Sequence, residues 1–146
     1  MYKCFKLKGL GPLKYFLGID VARSPKRLFL CQRKYTLDIL TETGMLGSKP
    51  ASFPMEQYHR LLADSRDPIP DLSQYRRLIF RLPYLTITRP DIAYYVHILS
   101  QFLQEPRPRH LEAAMRILRY LKSCPGQGIL LPTNNPLNLT VFCDSD

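Results

Sequence analysis

Hydrophobic residues recur with two different periods along this chain, and the two periods separate strands from helices. Two short apolar runs, YFLGIDV at 15–21 and LFLCQR at 28–33, flank the polar stretch SPKR and predict a β-hairpin. The turn contains Pro25 and Lys26 but no glycine, so its own chemistry favours a hairpin only weakly. The next stretch, RKYTLDILTETG at 33–44, has a partial helical stripe and ends in a glycine that suits a helix C-terminus.

A second helical pattern, YRRLIFRLPYLTITRP at 75–90, contains a proline. Its apolar residues recur at three- and four-residue spacing, which marks one buried face: Leu78, Ile79, Leu82 and Leu85. An interior proline removes a backbone hydrogen bond and clashes with the preceding turn, at a cost of roughly 3 kcal/mol. We therefore expect this helix to kink or end between residues 79 and 83, next to Pro83.

Two more helices and two short strands are predicted after this stretch. The phrase TRPD, with Asp91 three residues after Thr88, resembles a capping box that begins a helix. A last helix over 109–123 ends before Pro125 and Gly126. The expected buried positions are Ile92, Val96, Leu99 and Phe102 or Leu103 in the first helix, and Leu111, Ala114, Ile117, Leu118 and Leu121 in the second. The phrases GILL and LTVFCD predict two strands around a PTNNP turn.

The charge of the chain narrows the class of its partners. The excess of 21 Lys and Arg over 12 Asp and Glu gives a net charge of +9, which favours an anionic partner, and nucleic acid more than a membrane surface. A basic soluble domain without such a partner is an equal alternative. Four scattered cysteines form no CxxC pair, and no apolar run reaches membrane-spanning length. We expect an intracellular protein that is neither secreted nor membrane-bound.

Two rows of cationic residues are candidates for nucleic-acid binding. Each row lies at helical spacing: Arg76, Arg77 and Arg81 in the first, and Arg116, Arg119 and Lys122 in the second. Such rows are more often solvated helix faces. The net charge and the tyrosines between these rows make nucleic-acid binding as good an interpretation as a solvated helix face. Phosphate contacts of this kind give affinity without sequence readout.

The spacing of the aspartates and histidines does not predict a complete catalytic or metal site. Asp144 and Asp146 would point to one side of a strand, as carboxylates that hold Mg²⁺ do, although a polar strand end explains them more often. Three histidines share no metal-ligand spacing, and His110 is expected to face solvent or to pack at a helix start. No complete catalytic constellation is predicted.

The order of several phrases resembles a known family. LGPLKYFLGIDVARS, LCQRKYTLDILTETGML, KPASFPM, the 75–96 stretch, LSQF, HLEAAMRILRYLK and VFCDSD occur in this order along nearly the whole chain. Together they resemble the polyprotein of a plant Ty1/copia-type retrotransposon. The matching segment runs from the end of the reverse transcriptase to the first strand of the ribonuclease H.

The resemblance implies an α+β fold with four parts. Residues 1–47 would be the end of the reverse-transcriptase palm with its hairpin, and 48–74 a connector. Residues 75–126 would form a mainly helical thumb and connection, and 127–146 the truncated start of ribonuclease H with its short strands. The hairpin and the last strand would then lack the sheets that they normally join, and open strand edges favour aggregation.

The resemblance also implies roles for individual residues. Phe16, Leu17 and Gly18 resemble the primer grip. Residues 75–87 resemble the thumb helix that follows the minor groove of the primer–template duplex. The expected nucleic-acid contacts are Arg76, Phe80 and Tyr84 on one face of that helix, with Arg77, Arg81, Arg116, Arg119 and Lys122. Asp144 matches the first metal-binding aspartate of ribonuclease H, as part of an incomplete site.

We expect this chain to be catalytically inactive by itself. The family's YVDD segment and the remaining ribonuclease H acids do not occur in it, so Mg²⁺ would belong to the parent enzyme and no cofactor to this chain alone. Its expected partner is an RNA/DNA hybrid or duplex DNA bound through the backbone, and the rest of the polyprotein is a possible second partner. Alternatives are a host-captured binding or regulatory protein and the non-catalytic part of a split polymerase. The compartment would be cytoplasm or nucleus, or an organelle for a captured copy.

Departures from the family suggest a decaying copy. Arg27, Arg66, Phe80 and Arg109 stand where the family usually has glycine, and Pro83 where it usually has an aliphatic residue. A phenyl ring at Phe80 would obstruct the approach of a duplex. At position 27 an arginine replaces glycine, the residue best suited to a positive φ in the hairpin turn.

Overall fold

The computed structural model describes residues 11–55, 61 and 67–134, which form an α+β arrangement. The strands are β1 (Tyr15–Phe16), β2 (Ile19–Ser24), β3 (Arg27–Cys31) and β4 (Gly128–Pro132). The helices are α1 (Arg33–Glu42), α2 (Leu72–Leu85), α3 (Ala93–Ser100) and α4 (Pro108–Ser123). Short 3₁₀ helices lie over Met45–Gly47 and Pro90–Ile92. Within these ranges, no helix has the length and apolar character needed to cross a membrane.

Strands β2 and β3 form the predicted hairpin. Their antiparallel register pairs Ser24 with Arg27 across a two-residue turn. The Ser24 hydroxyl closes this turn, because it accepts a hydrogen bond from the Arg27 N–H at 3.1 Å and donates to the Arg27 carbonyl at 3.3 Å. Arg27 begins a strand, and Leu17 is the only described non-glycine residue with a positive φ. The expected conformational penalty at Arg27 is therefore wrong.

Strand β4 pairs with β3 and completes a four-stranded antiparallel sheet in the order β1-β2-β3-β4. The register places Gly128 opposite Cys31 and Ile129 opposite Leu30. A Cβ atom at Gly128 would lie 2.0 Å from the Leu30 carbonyl oxygen, so only glycine fits there. The strand predicted over GILL is confirmed, but the expectation of an open hairpin edge is wrong for β3. The strand predicted at 139–144 lies outside the described residues.

One apolar core joins the four helices. Helix α1 ends at Glu42, and Gly44 follows with a φ of +67°, the left-handed conformation that glycine favours at such ends. The predicted stripes of α3 and α4 are buried, except that Leu111, Phe102 and Leu103 are only partly so. Apolar side chains with no exposed surface are Leu40, Leu82, Leu85, Ile92, Leu99, Ala114, Ile117, Leu118 and Leu121.

Helix α2 continues through Pro83 and ends two residues later, at Leu85. Of the two expectations for this helix, an end between residues 79 and 83 is wrong, and a kink near Pro83 stays a prediction. Leu82 and Leu85, on either side of the proline, are fully buried. Burial of each such leucine stabilises the fold by about 1.5–3 kcal/mol. Together the two contribute about 3–6 kcal/mol, which is at least the roughly 3 kcal/mol cost of one helical proline, so packing can hold the helix through Pro83.

The TRPD phrase forms two sets of side-chain hydrogen bonds in place of the predicted capping box. The Thr88 hydroxyl donates to Oε1 of Gln32 at 2.8 Å, and not to a helix terminus, so that prediction is wrong. Arg89 is buried and donates from Nη2 to Oδ2 of Asp91 at 2.8 Å and from Nε to Oδ1 at 3.0 Å. Tyr120 of α4 donates its hydroxyl to the same carboxylate at 2.8 Å. This second set ties the start of α3 to α4.

The pKa of the Asp91 carboxyl lies below its ordinary value. Burial opposes the charged form, but hydrogen bonds from Arg89 and Tyr120 favour it more strongly. A lowered folded-state pKa contributes stability that is present above the unfolded value and is lost as the pH falls through the folded value. We expect the stability gap between wild type and Asp91→Asn to be constant near neutral pH and to shrink as the pH falls below about 5, measured by urea denaturation. A gap that does not shrink on acidification would contradict the prediction.

Parts of the expected connector pack against the helices. Met55, Leu61 and Ile69 are buried in the same core, whereas 56–60 and 62–66 lie outside the described residues. His110 is buried beside them: its Nε2 lies 3.2 Å from the Leu61 carbonyl oxygen, and its ring stacks on Phe102 with centroids 3.9 Å apart. Of the two expectations for this histidine, packing is the one that holds.

Candidate nucleic-acid interface

Helix α2 presents the first group of predicted contact residues. Asp71 fixes the start of the helix, because its carboxylate accepts hydrogen bonds from the N–H groups of Ser73 and Gln74 at 3.0 and 3.1 Å. The core stripe occupies one side of the helix. The side turned away from the core carries four residues that we call the outer face of α2: Arg76, Arg77, Phe80 and Tyr84.

The outer face combines positive charge with an exposed aromatic ring. Phe80 is 68% exposed. Arg76 is exposed, and its Nε donates to the Leu103 carbonyl at 2.8 Å, a neutral acceptor that leaves the guanidinium charge uncancelled. Arg77 is exposed and, with Arg81, lines a cleft of about 320 Å³ between α1, α2 and α4. The outer face therefore carries two arginines and one exposed ring, and the cleft beside it is also lined by Asp71 and Glu42.

The tight turn at Phe16–Gly18 contacts the outer face, so the structure brings two predicted sites together. The Tyr84 hydroxyl donates to the Leu17 carbonyl. Gly18 has a φ of +82°, and a Cβ atom there would lie 3.5 Å from Cε1 of Tyr84. Leu17 itself has a φ of +48°, in the left-handed region that costs non-glycine residues energy. Phe16 and Leu17 are nevertheless exposed, which leaves two apolar side chains beside Tyr84.

Arg81 is engaged within the protein. Its guanidinium pairs with the Glu42 carboxylate of α1 and lies 5.2 Å from the centroid of the Tyr35 ring. Burial opposes its charge, but hydrogen bonds with Tyr35 and Glu42 raise its pKa above the ordinary value. Tyr35 also packs edge-to-face on Tyr84, with centroids 5.2 Å apart. Tyr35 thus contacts two predicted site residues, Arg81 and Tyr84. No signal in the sequence indicated this role, because Tyr35 belongs to the partial stripe of the helix predicted at 33–44.

The cationic row of α4 contacts a different segment of the chain. The Lys122 ammonium donates to the Ser48 carbonyl, and the Arg119 carbonyl accepts from the Ala51 N–H at 3.1 Å. Arg116 is partly buried, while Arg119 is exposed. The outer face of α2 contacts the 16–18 turn and Leu103 instead. The structure therefore places the two predicted cationic rows against different segments of the chain.

Metal chemistry has no support among the described residues. No group of three or more His, Cys, Asp or Glu that could hold a metal ion occurs in 11–55, 61 and 67–134. Asp144, the predicted metal ligand, and Asp146 lie outside this part of the chain.

Comparisons with known proteins identify homologues. The chain is 43% identical over 142 residues to the retrovirus-related Pol polyprotein from transposon RE2 and 44% identical to that from transposon RE1, both of Arabidopsis thaliana. These matches cover 97% of this chain and 10% of each polyprotein. An uncharacterized mitochondrial protein of the same plant is 41% identical over 143 residues, which is 97% of this chain and 59% of that protein. No protein-family model and no solved structure matches the chain. The resemblance found in the sequence phrases is confirmed.

Proposed function

We propose, from the premise that this chain is a homologue of the retrovirus-related Pol polyproteins of plant Ty1/copia-type transposons, that it binds duplex nucleic acid without reading its sequence. The ligand would be an RNA/DNA hybrid or duplex DNA. The binding surface would be the outer face of α2 together with the 16–18 turn. The activity proposed is binding, and no step of it uses Mg²⁺.

One observation carries this proposal, which is the contact between the turn and the helix. Because Tyr84 bonds to Leu17, the exposed side chains of Phe16 and Leu17 lie beside a helix that carries Arg76 and Arg77. Arginine guanidinium groups bind phosphate oxygens, and such contacts hold a duplex in place without specifying its bases. Apolar side chains at the end of the same surface suit the sugar edges of a shallow groove.

We also assign the segment to the join between reverse transcriptase and ribonuclease H. The order of the sequence phrases supports this assignment, with the 16–18 turn as primer grip and α2 as thumb helix. Phe80 protrudes from the middle of the outer face, where its ring would hold a duplex away from the helix backbone. We therefore propose weak binding, with most of the affinity coming from phosphate contacts.

Removal of two arginines should weaken duplex binding and its salt dependence. For B-DNA, each phosphate contact contributes about 0.9 to the slope of log affinity against log salt. The variant Arg76→Ala/Arg77→Ala should therefore lower that slope by about 1.8, measured by fluorescence anisotropy with a short duplex. The control Arg23→Ala/Lys26→Ala removes the same charge from the far end of the hairpin and should change the slope much less. Equal losses in both variants, or affinity that is indifferent to salt, would refute the proposed surface.

A further inference from the structure

A second basic surface lies where residues 48–55 cross helix α4. The Ala51 N–H donates to the Arg119 carbonyl at 3.1 Å, and the Lys122 ammonium donates to the Ser48 carbonyl. These two bonds hold the segment against the second half of the helix. We call the side chains of Lys49, Phe53, Arg119 and Lys122 the crossing surface.

Phe53 is 68% exposed although the chain on both sides of it is anchored. Ala51 is bonded to α4, while Pro54 and Met55 are buried. A short segment that is fixed at both ends holds its exposed ring in a defined place. A ring whose backbone is already fixed can stack on a ligand at a lower ordering cost than a ring on a free segment, so Phe53 is suited to this role.

The two chain segments that build the crossing surface contain no acidic residues. No Asp or Glu occurs in 43–55 or in 113–134, the segments that build it. Lys49 and Arg119 are exposed, and Lys122 bonds to a carbonyl, which does not cancel its charge. The two segments that meet here therefore supply the crossing surface with one exposed ring and three cations and no carboxylate.

We propose that the crossing surface binds single-stranded nucleic acid. An unpaired base would stack on the Phe53 ring, and neighbouring phosphates would contact Lys49, Arg119 and Lys122. Stacking on aromatic rings combined with a basic track is how proteins bind single strands without sequence preference. In a duplex the base faces are already stacked, so the ring would have no partner. A protein partner fits less well, because the centres of protein interfaces are depleted in lysine.

This proposal does not depend on duplex binding by the outer face of α2. The two surfaces contact different segments: Ser48 and Ala51 in one case, Leu17 and Leu103 in the other. Substitutions can therefore weaken one surface and leave the other intact. Failure of one proposal is distinguishable from failure of the other.

The test is binding of the full chain to labelled oligonucleotides. We expect Phe53→Ala to weaken binding of oligo(dT) and oligo(U) of about 15 nucleotides by about tenfold, as loss of one stacked base does. Affinity for a duplex of the same length should stay unchanged. Phe53→Tyr keeps the ring and should keep the affinity. Tyr94→Ala, which removes another exposed aromatic ring (61% exposed), should have no effect on single-strand binding.

Three outcomes would overturn the proposal. The first is single-strand affinity unchanged in Phe53→Ala. The second is an equal loss for the single strands and the duplex, since that indicates a general effect on folding or charge. The third is self-association of the chain that Phe53→Ala abolishes, because the ring would then belong to a protein interface. Circular dichroism of each variant confirms that the fold is retained.

Discussion

Replacement of Asp91 by alanine is expected to lower the free energy of unfolding by about 3 kcal/mol. The reason is the environment of Arg89, whose side chain is only 2% exposed and whose guanidinium makes paired hydrogen bonds to this carboxylate. Without Asp91, Arg89 keeps a bond to the Cys124 carbonyl at 3.3 Å but has lost its counter-charge. A buried charge without its partner is among the costliest single changes in a protein. The value is at the low end of the range because the Asp91 side chain is 30% exposed.

A double variant separates the buried charge from the lost contacts. If the cost of Asp91→Ala comes mainly from the unpaired cation, then Arg89→Met/Asp91→Ala should be more stable than Asp91→Ala alone. Glu42→Ala is the matched control, because it removes the carboxylate of a more exposed ion pair, that with Arg81. Exposed pairs contribute about 0–1 kcal/mol. Urea denaturation of the four proteins measures these differences. A cost for Asp91→Ala no larger than that for Glu42→Ala would contradict the assignment.

Helix positions could be predicted from the sequence because their signal is local. The stripe through Val96 and Leu99 and the glycine at Gly44 each act within a few residues, and the structure places them as expected. The extent of α2 was not predictable in this way. Its continuation past Pro83 depends on burial by other elements, which no window around the proline contains.

Polar residues were interpreted less well, and for a physical reason. Spacing alone assigned Thr88 to a helix cap, whereas the structure shows its hydroxyl bonded to Gln32, fifty-six positions away in sequence. The contact between Leu17 and Tyr84 spans sixty-seven positions. A polar side chain can form a hydrogen bond with any suitable group that the fold brings close in space. Sequence spacing contains information only about groups that are close along the chain. The candidate residues could be predicted by type, but the chain segments that each cationic row contacts could not.

The pairing of β4 with the hairpin is the least local feature of this fold, and Gly128 tests it. A Cβ atom at this position would lie 2.0 Å from the Leu30 carbonyl oxygen and 2.8 Å from Cβ of Cys31. Neither partner can yield easily, because both belong to β3, an inner strand that is paired on both sides. We expect Gly128→Ala to lower the free energy of unfolding by about 1–3 kcal/mol, as overpacking does elsewhere. Gly47→Ala is the control, since an added Cβ there meets no atom within 4 Å.

Amide hydrogen exchange shows whether that cost arises in the sheet. The Thr133 N–H donates to the Lys26 carbonyl at 3.0 Å, beside the pairing of β4 with β3, so its protection reports on whether β4 is docked. The Thr36 N–H, bonded to the Gln32 carbonyl at 2.9 Å in α1, reports on the helices. In Gly128→Ala, exchange at Thr133 should accelerate much more than exchange at Thr36. Equal acceleration would indicate global destabilisation, and none at either amide would place β4 outside the sheet. A docked β4 joins the two ends of the described chain, because it pairs with a strand about one hundred residues earlier. All four helices lie within the stretch of chain that this pairing closes, so loss of the pairing would free both ends of that stretch.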